Sequence, residues 1–91
     1  MNKFIVYFNM PLSGADEKSI ESRGLLEDLV GHGNWLQLTG ELIAIKTKMS
    51  LKDFSHKFLE MDPPYEFFVI DANDFTSSSH SDYKHDLFNN L

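Results

Sequence analysis

The side chains best suited to chemistry in this 91-residue chain gather toward its C-terminus. His80, Asp82, His85 and Asp86 form an H-x-D-x2-H-D run, a mix of imidazole and carboxylate that suits a transition metal where the groups converge. Paired helical ligands stand about four residues apart, but these two His stand five apart, so the run reads as polar residues of a solvated tail. His32 lies between Gly31 and Gly33, where it reads as a residue at a helix C-terminus, favoured by the dipole. No Ser is placed to pair with it as a nucleophile, so a hydrolase triad has no support. Trp35 is an aromatic that could stack on a base, although at the start of an edge strand such a ring more often packs over a helix end. Lys46 and Lys48, with Lys52 and Lys57 further on, are the only basic grouping. Lys46 and Lys48 share a strand face and could touch a phosphate backbone, but they also blunt a sheet edge against aggregation.

Composition excludes several classes. There is no Cys, which removes disulfide scaffolds, zinc fingers and cysteine nucleophiles. Fourteen acids against eight bases give a formal charge of −6, and its distribution is uneven. Residues 1–59 hold seven acids and seven bases, whereas residues 60–91 hold seven acids against Lys84 alone. A generally basic nucleic-acid binder is thereby excluded, since neutralising phosphates needs clustered Lys and Arg. A content of 42% apolar and 13% aromatic residues fits a globular core, and the length fits one domain. No apolar run approaches the roughly 20 residues that cross a membrane. Lys3 followed by FIVYF is too short an apolar run for a signal segment, so the expected location is cytoplasmic.

The elements that must position these groups follow from periodicity. Residues 4–8 (FIVYF), rich in β-branched and aromatic types, read as a buried strand ended by Met10 and Pro11. From 16 to 30 the pattern is helical, with Ser22, Leu25, Leu26, Leu29 and Val30 on one face and Gly31 and Gly33 as stops. Residues 35–38 and 42–47 read as a hairpin about the turn Thr39, Gly40, Glu41. Ser50 with Asp53 three residues on makes a capping-box variant; Leu51, Phe54, Phe58 and Leu59 follow at helical spacing until Pro63 and Pro64 forbid continuation. Residues 65–71 (YEFFVID) read as the last strand.

The order β-α-β-β-α-β predicts a ferredoxin-like α/β sandwich: an antiparallel four-stranded sheet with two helices on one face. The first and third strands belong at its centre. Residues 1–73 form this domain and residues 74–91 an acidic tail, in which Tyr83, Leu87, Phe88 and Leu91 recur at helical spacing. The strands are apolar on both faces: Phe4, Val6 and Phe8 oppose Ile5 and Tyr7, and Phe67 and Val69 oppose Phe68 and Ile70. Two helices cover one face only. The second face needs either the tail or another subunit, and the expectation is a homodimer.

This layout resembles the small CRISPR-associated nuclease of the spacer-adaptation complex, and the VapD-type toxins and SinR-like proteins near it. The likeness rests on the opening strand ending in Tyr7, Phe8, Asn9 and Met10, and on the hairpin GNWLQLTGELIAI at 33–45. It rests also on the Ser50-capped helix leading into YEFFVID, and covers about residues 1–73. The resemblance implies a dimer in which an Asp at the end of the first strand, one from each subunit, holds Mg²⁺ beside the dimer axis. Such a cation takes carboxylate oxygens and keeps most of its waters. The matching position here is Asn9, beside Tyr7, and an amide brings no charge. Asp16 lies seven residues on, but its place in an acidic helix start points to capping. The departure argues against nuclease activity, so no metal or other cofactor is expected; Mg²⁺ enters only with a nuclease that cuts RNA or DNA.

The sequence therefore points first to a non-catalytic interaction protein, a homodimer acting through a protein or nucleic-acid partner, with Trp35, Lys46 and Lys48 as binding candidates. A third reading uses Asp71, Asp74, Asp82 and Asp86: spaced carboxylates on a dimer could imitate duplex phosphates and occupy a nucleic-acid enzyme.

Overall fold

A computed structural model describes residues 1–14 and 16–72 of the chain. Six elements follow in the order β1 (Asn2–Phe8), α1 (Glu17–Val30), β2 (Trp35–Gln37), β3 (Leu42–Thr47), α2 (Leu51–Glu60) and β4 (Phe67–Asp71). The strands form one sheet in the order β2-β3-β1-β4, antiparallel at every pairing. This is the expected ferredoxin-like arrangement, with the first and third strands central. The acidic tail at 74–91, whether strand or helix, lies outside the described residues.

Register explains why alternate residues of β1 have different fates. Val6 stands opposite Ile43 of β3 and Val69 of β4, Phe4 opposite Ile45, and Phe8 opposite Phe67. Residues opposed across an antiparallel ladder share a face. Phe4, Val6, Phe8, Ile43 and Ile45 therefore form one apolar surface, onto which Leu26 of α1 and Phe54 and Phe58 of α2 pack. The aromatic rings set the fit. Phe58 stacks on Phe54 at 5.8 Å, meets Phe8 edge-on at 6.2 Å and meets Phe67 at 4.7 Å, so one helical residue ties β1 to β4. Phe54 in turn packs against Phe4 at 6.0 Å.

Both helices start where the sequence supplies an acceptor. The Ser50 hydroxyl accepts from the Asp53 amide at 3.1 Å, and the Asp16 carboxylate accepts from the Ser19 amide at 3.0 Å. α1 stops at Gly31, whose φ of +97° suits glycine and whose amide donates to the Glu27 carbonyl at 2.8 Å. A Cβ there would also crowd the Asn34 amide nitrogen at 3.2 Å, the group that donates to the Val30 carbonyl. The buried face of α1 is narrower than its periodicity predicts. Ser19, Ser22 and Leu26 are fully buried, Leu25, Leu29 and Val30 only partly, and Ile20 is exposed. The two serines tolerate burial because their hydroxyls are bonded, Ser19 to Asp16 and Ser22 to the Lys18 carbonyl.

Three strand ends differ from the sequence expectation. β1 begins at Asn2 because Asn2 and Lys3 pair with Thr47 and Lys46, a partnership that polar residues do not announce. β2 closes at Gln37 since Leu38 and Thr39 both turn their amides onto the Leu42 carbonyl. β4 starts at Phe67 because Tyr65 is drawn away toward Asp16.

Phe58 is fully buried and touches three rings, so Phe58→Ala should remove about 3–5 kcal/mol. A domain of this size has roughly 5–10 kcal/mol in total. Urea denaturation followed by circular dichroism should find the variant at or beyond the edge of unfolding at 37 °C, with Phe58→Leu intermediate. A Phe58→Ala midpoint close to the natural one would contradict this packing.

Candidate functional site

The end of β1 is held from both sides. The Phe8 amide donates to the Glu41 carbonyl at 2.8 Å and the Asn9 amide to the Glu66 carbonyl at 3.1 Å. Asn9 is thereby fixed just past the strand, exposed, at the position where the resemblance implies a metal-binding Asp. Its carboxamide can donate and accept hydrogen bonds but offers a cation no charge. Among the described residues, no three His, Asp or Glu side chains converge to hold a metal. Tyr7 points to the opposite face of β1 from Phe8 and packs against Phe68 with ring centroids 6.0 Å apart.

Asp16 is more than a helix cap. Its carboxylate accepts from the Ser13 hydroxyl, from the Ser19 hydroxyl at 2.6 Å and amide at 3.0 Å, and from the Tyr65 hydroxyl at 3.3 Å. The Ser13 hydroxyl above all, then the two Ser19 donors, hold it well below the usual carboxylate range. Partial desolvation, followed by the Asp16 charge, raises the Tyr65 phenol. The Lys18 ammonium stands 5.9 Å from the Tyr65 ring centroid, and Arg23 donates to the Ser13 carbonyl at 2.8 Å. These groups clasp the start of α1 to the connection before β4. With its oxygens so occupied, Asp16 works as a joint and offers no vacant acceptor for a cation. Capping was legible in the sequence; Tyr65 was not, because it lies 49 residues away.

The other candidates are dispersed. Trp35 sits opposite Ile45 on the helix-facing side of the sheet, half-buried against the main core. Lys46 lies on the other face of β3, opposite Lys3, while Lys48 is exposed beyond the end of the strand. Asp71 is the exposed last residue of β4, opposite Phe4; Asp74, Asp82, Asp86, His80 and His85 lie outside the described residues. His32 stands past the end of α1, its Nδ1 2.6 Å from the Glu27 carboxylate on the surface. No described pair among these candidates forms a catalytic constellation.

The face of the sheet turned away from the helices is the largest coherent feature. Its apolar residues include Ile5, Tyr7, Leu36, Leu42, Ala44, Phe68 and Ile70. Tyr7, Phe68 and Ile70 form a strip on β1 and β4 that is 38%, 53% and 52% exposed. Rings and branched chains that open to water on a sheet surface mark a place of contact. A second concavity, not foreseen from the sequence, runs along α2 and the connection to β4, with about 360 Å³ lined by His56, Leu59, Pro63, Pro64, Tyr65 and Phe67. The paired prolines before an aromatic were its only sequence signal. No helix among the described residues is long and apolar enough to cross a membrane. The chain matches no protein-family model, and no curated protein or solved structure is significantly similar to it.

The low pKa of Asp16 gives a pH signature. Its folded value lies below the unfolded one, so the stability it contributes is complete above the ordinary carboxylate range and is lost as pH falls through and below about 4. Asn caps a helix about as well as Asp but does not titrate. Urea midpoints of the natural chain and of Asp16→Asn, measured from about pH 7 to about pH 2, should differ most near neutrality and converge in acid. A difference independent of pH would show that the clasp does not depend on the charge.

Proposed function

We propose that this chain is a small non-catalytic interaction protein that pairs with a second copy through Tyr7, Phe68 and Ile70 and acts in the cytoplasm on a protein or nucleic-acid partner. The observation that carries the reading is the exposed strip itself, set on a rigid sheet whose other face is fully occupied by the two helices. A sheet face that meets a second copy about a two-fold axis needs only self-complementary shape, and flat rings on adjacent strands provide it. The strip also lies next to Asn9, so a dimer formed there would bring the two Asn9 side chains toward one region. That is the arrangement the resemblance to the CRISPR adaptation nuclease and VapD-like proteins implies, with an amide where the catalytic members carry the acid. The substitution supports a binding role over cleavage.

Size-exclusion chromatography with light scattering should give a dimer mass at micromolar concentration. Phe68→Asp should elute as a monomer with unchanged circular dichroism, because its side chain is already half in water and a carboxylate desolvated against another apolar face is costly. A monomeric natural chain would overturn the dimer.

Cleavage separates the scaffold from the nuclease. Labelled RNA and DNA incubated with Mg²⁺ should stay intact with the natural chain. Asn9→Asp restores the missing charge, and cleavage by that variant alone would mark a retained scaffold that lacks its ligand. Cutting by the natural chain would defeat the non-catalytic reading.

A further inference from the structure

The concavity between α2 and the connection to β4 is walled by side chains that the fold already holds in place. Tyr65 is tied through its hydroxyl to Asp16 at 3.3 Å, and Phe67 meets Phe58 at 4.7 Å. Pro63 and Pro64 each fix their own φ. Asp62 turns the chain from the helix into these prolines: its φ is +56°, and its amide donates to the Leu59 carbonyl at 3.0 Å. Leu59 also lines the groove and is 65% exposed, a large apolar side chain that the core does not use. The volume of about 360 Å³ lies toward the lower end for ligand pockets, about 300–1,000 Å³, and gives room for a side chain or two.

The charge around this apolar floor has one dominant sign. Asp62 and Glu66 are both exposed and both line the groove, with His56 as the one imidazole and, among the described residues, no Lys or Arg. The groove also lies at the C-terminal end of α2, where the unpaired carbonyls carry a partial negative charge. Lys18 is not among the lining residues, but its ammonium stands 5.9 Å from the Tyr65 ring centroid, so that ring already accepts a cation. A phosphate backbone would meet like charge here, whereas Lys or Arg beside an apolar side chain would find both partners.

We propose that this groove is a docking site for a basic segment of a partner protein. One apolar or aromatic side chain of the segment enters between Leu59 and the connection at 63–67, and flanking Lys or Arg meet Asp62 and Glu66. The inference goes beyond the self-association reading, because it assigns a second surface: the groove uses Phe67, on the helix side of β4, and the strip uses Phe68, on the other side.

Titration of the full-length ¹⁵N-labelled chain with the capped peptides Lys-Lys-Phe-Lys-Lys and Lys-Lys-Leu-Lys-Lys tests it. The amide signals of Leu59, Asp62, Tyr65, Glu66 and Phe67 should shift saturably, and the same peptides with Glu in place of Lys should leave them unmoved. Leu59→Ala and Glu66→Lys should each weaken binding several-fold, and Phe68→Asp should bind as the natural chain does. Equal affinity in Leu59→Ala would reduce the contact to net charge and overturn the proposal. So would the absence of shifts, shifts centred on Tyr7 and Ile70, or a single-stranded oligonucleotide that moves the same amides. Groove signals that move with protein concentration alone would seat a second copy there and overturn it too. Because the dimer is read from mass and from Phe68→Asp, its failure and the failure of the groove can be told apart.

Discussion

The position of Phe58 governs the rest of the fold. One ring in the last turn of α2 meets Phe54 on its own helix, Phe8 on a central strand and Phe67 on an edge strand. Among the described residues β4 pairs with β1 alone, and the contact from Phe58 to Phe67 helps seat that strand under the helix layer. Once α2 is seated, the connection through Pro63 and Pro64 has a fixed starting point, and Tyr65 falls within reach of Asp16. The clasp at Asp16 then ties the start of α1 to the same connection. A single aromatic packing event thus constrains both helices and the edge of the sheet.

A two-layer sandwich has an unavoidable consequence when its strands are apolar on both sides. Burial of one face follows from the chain's own helices, but apolar area left open on the other forgoes the about 25 cal/mol per Å² that burial would contribute. In this chain the burden is divided. The half built on β2, β3 and β1, with Ile5, Leu36, Leu42 and Ala44, is buried or partly buried. The half on β4 uses Phe68 and Ile70 and is open. Replacing those two by polar residues would leave the helix-facing side of β4, Phe67 and Val69, untouched. Stability therefore does not demand them, which is why they read as contacts to something outside the domain.

What could be read from the sequence, and what could not, follows from the range of each interaction. Alternation along β1, the Ser50 cap, the stop at Gly31 and the block at Pro63 are local, and each stands where periodicity and side-chain chemistry put it. Their order alone gave the sheet topology. The burial of Ser19 escaped periodicity because serine counts as polar until its hydroxyl finds Asp16. The extension of β1 to Asn2 and the withdrawal of Tyr65 from β4 depend on partners far along the chain. Of the binding candidates, Trp35 packs partly buried against the main core, and Lys46 lies on the face opposite the helices, close to Lys3. The open strip was legible as a doubled apolar alternation, but which half of the face stays open could be seen only once the strands were in register.

Register also bears on how a second copy could approach. β4 is an edge strand, and an exposed edge can pair with its own kind as readily as an exposed face can stack. Its flanks are Glu66 and Asp71, with no basic residue between them. In an antiparallel pairing of two β4 edges about a two-fold axis at Val69, each Asp71 would stand opposite Phe67 of the other copy, and this carboxylate-to-ring encounter would occur twice. A carboxylate directly opposite a phenyl ring lacks the apolar or opposite-charge partner that favours a ladder. The face bears no such acids among Tyr7, Phe68 and Ile70. Asp71 therefore disfavours self-pairing of the β4 edge, whereas the adjoining strip of Tyr7, Phe68 and Ile70 carries no charge.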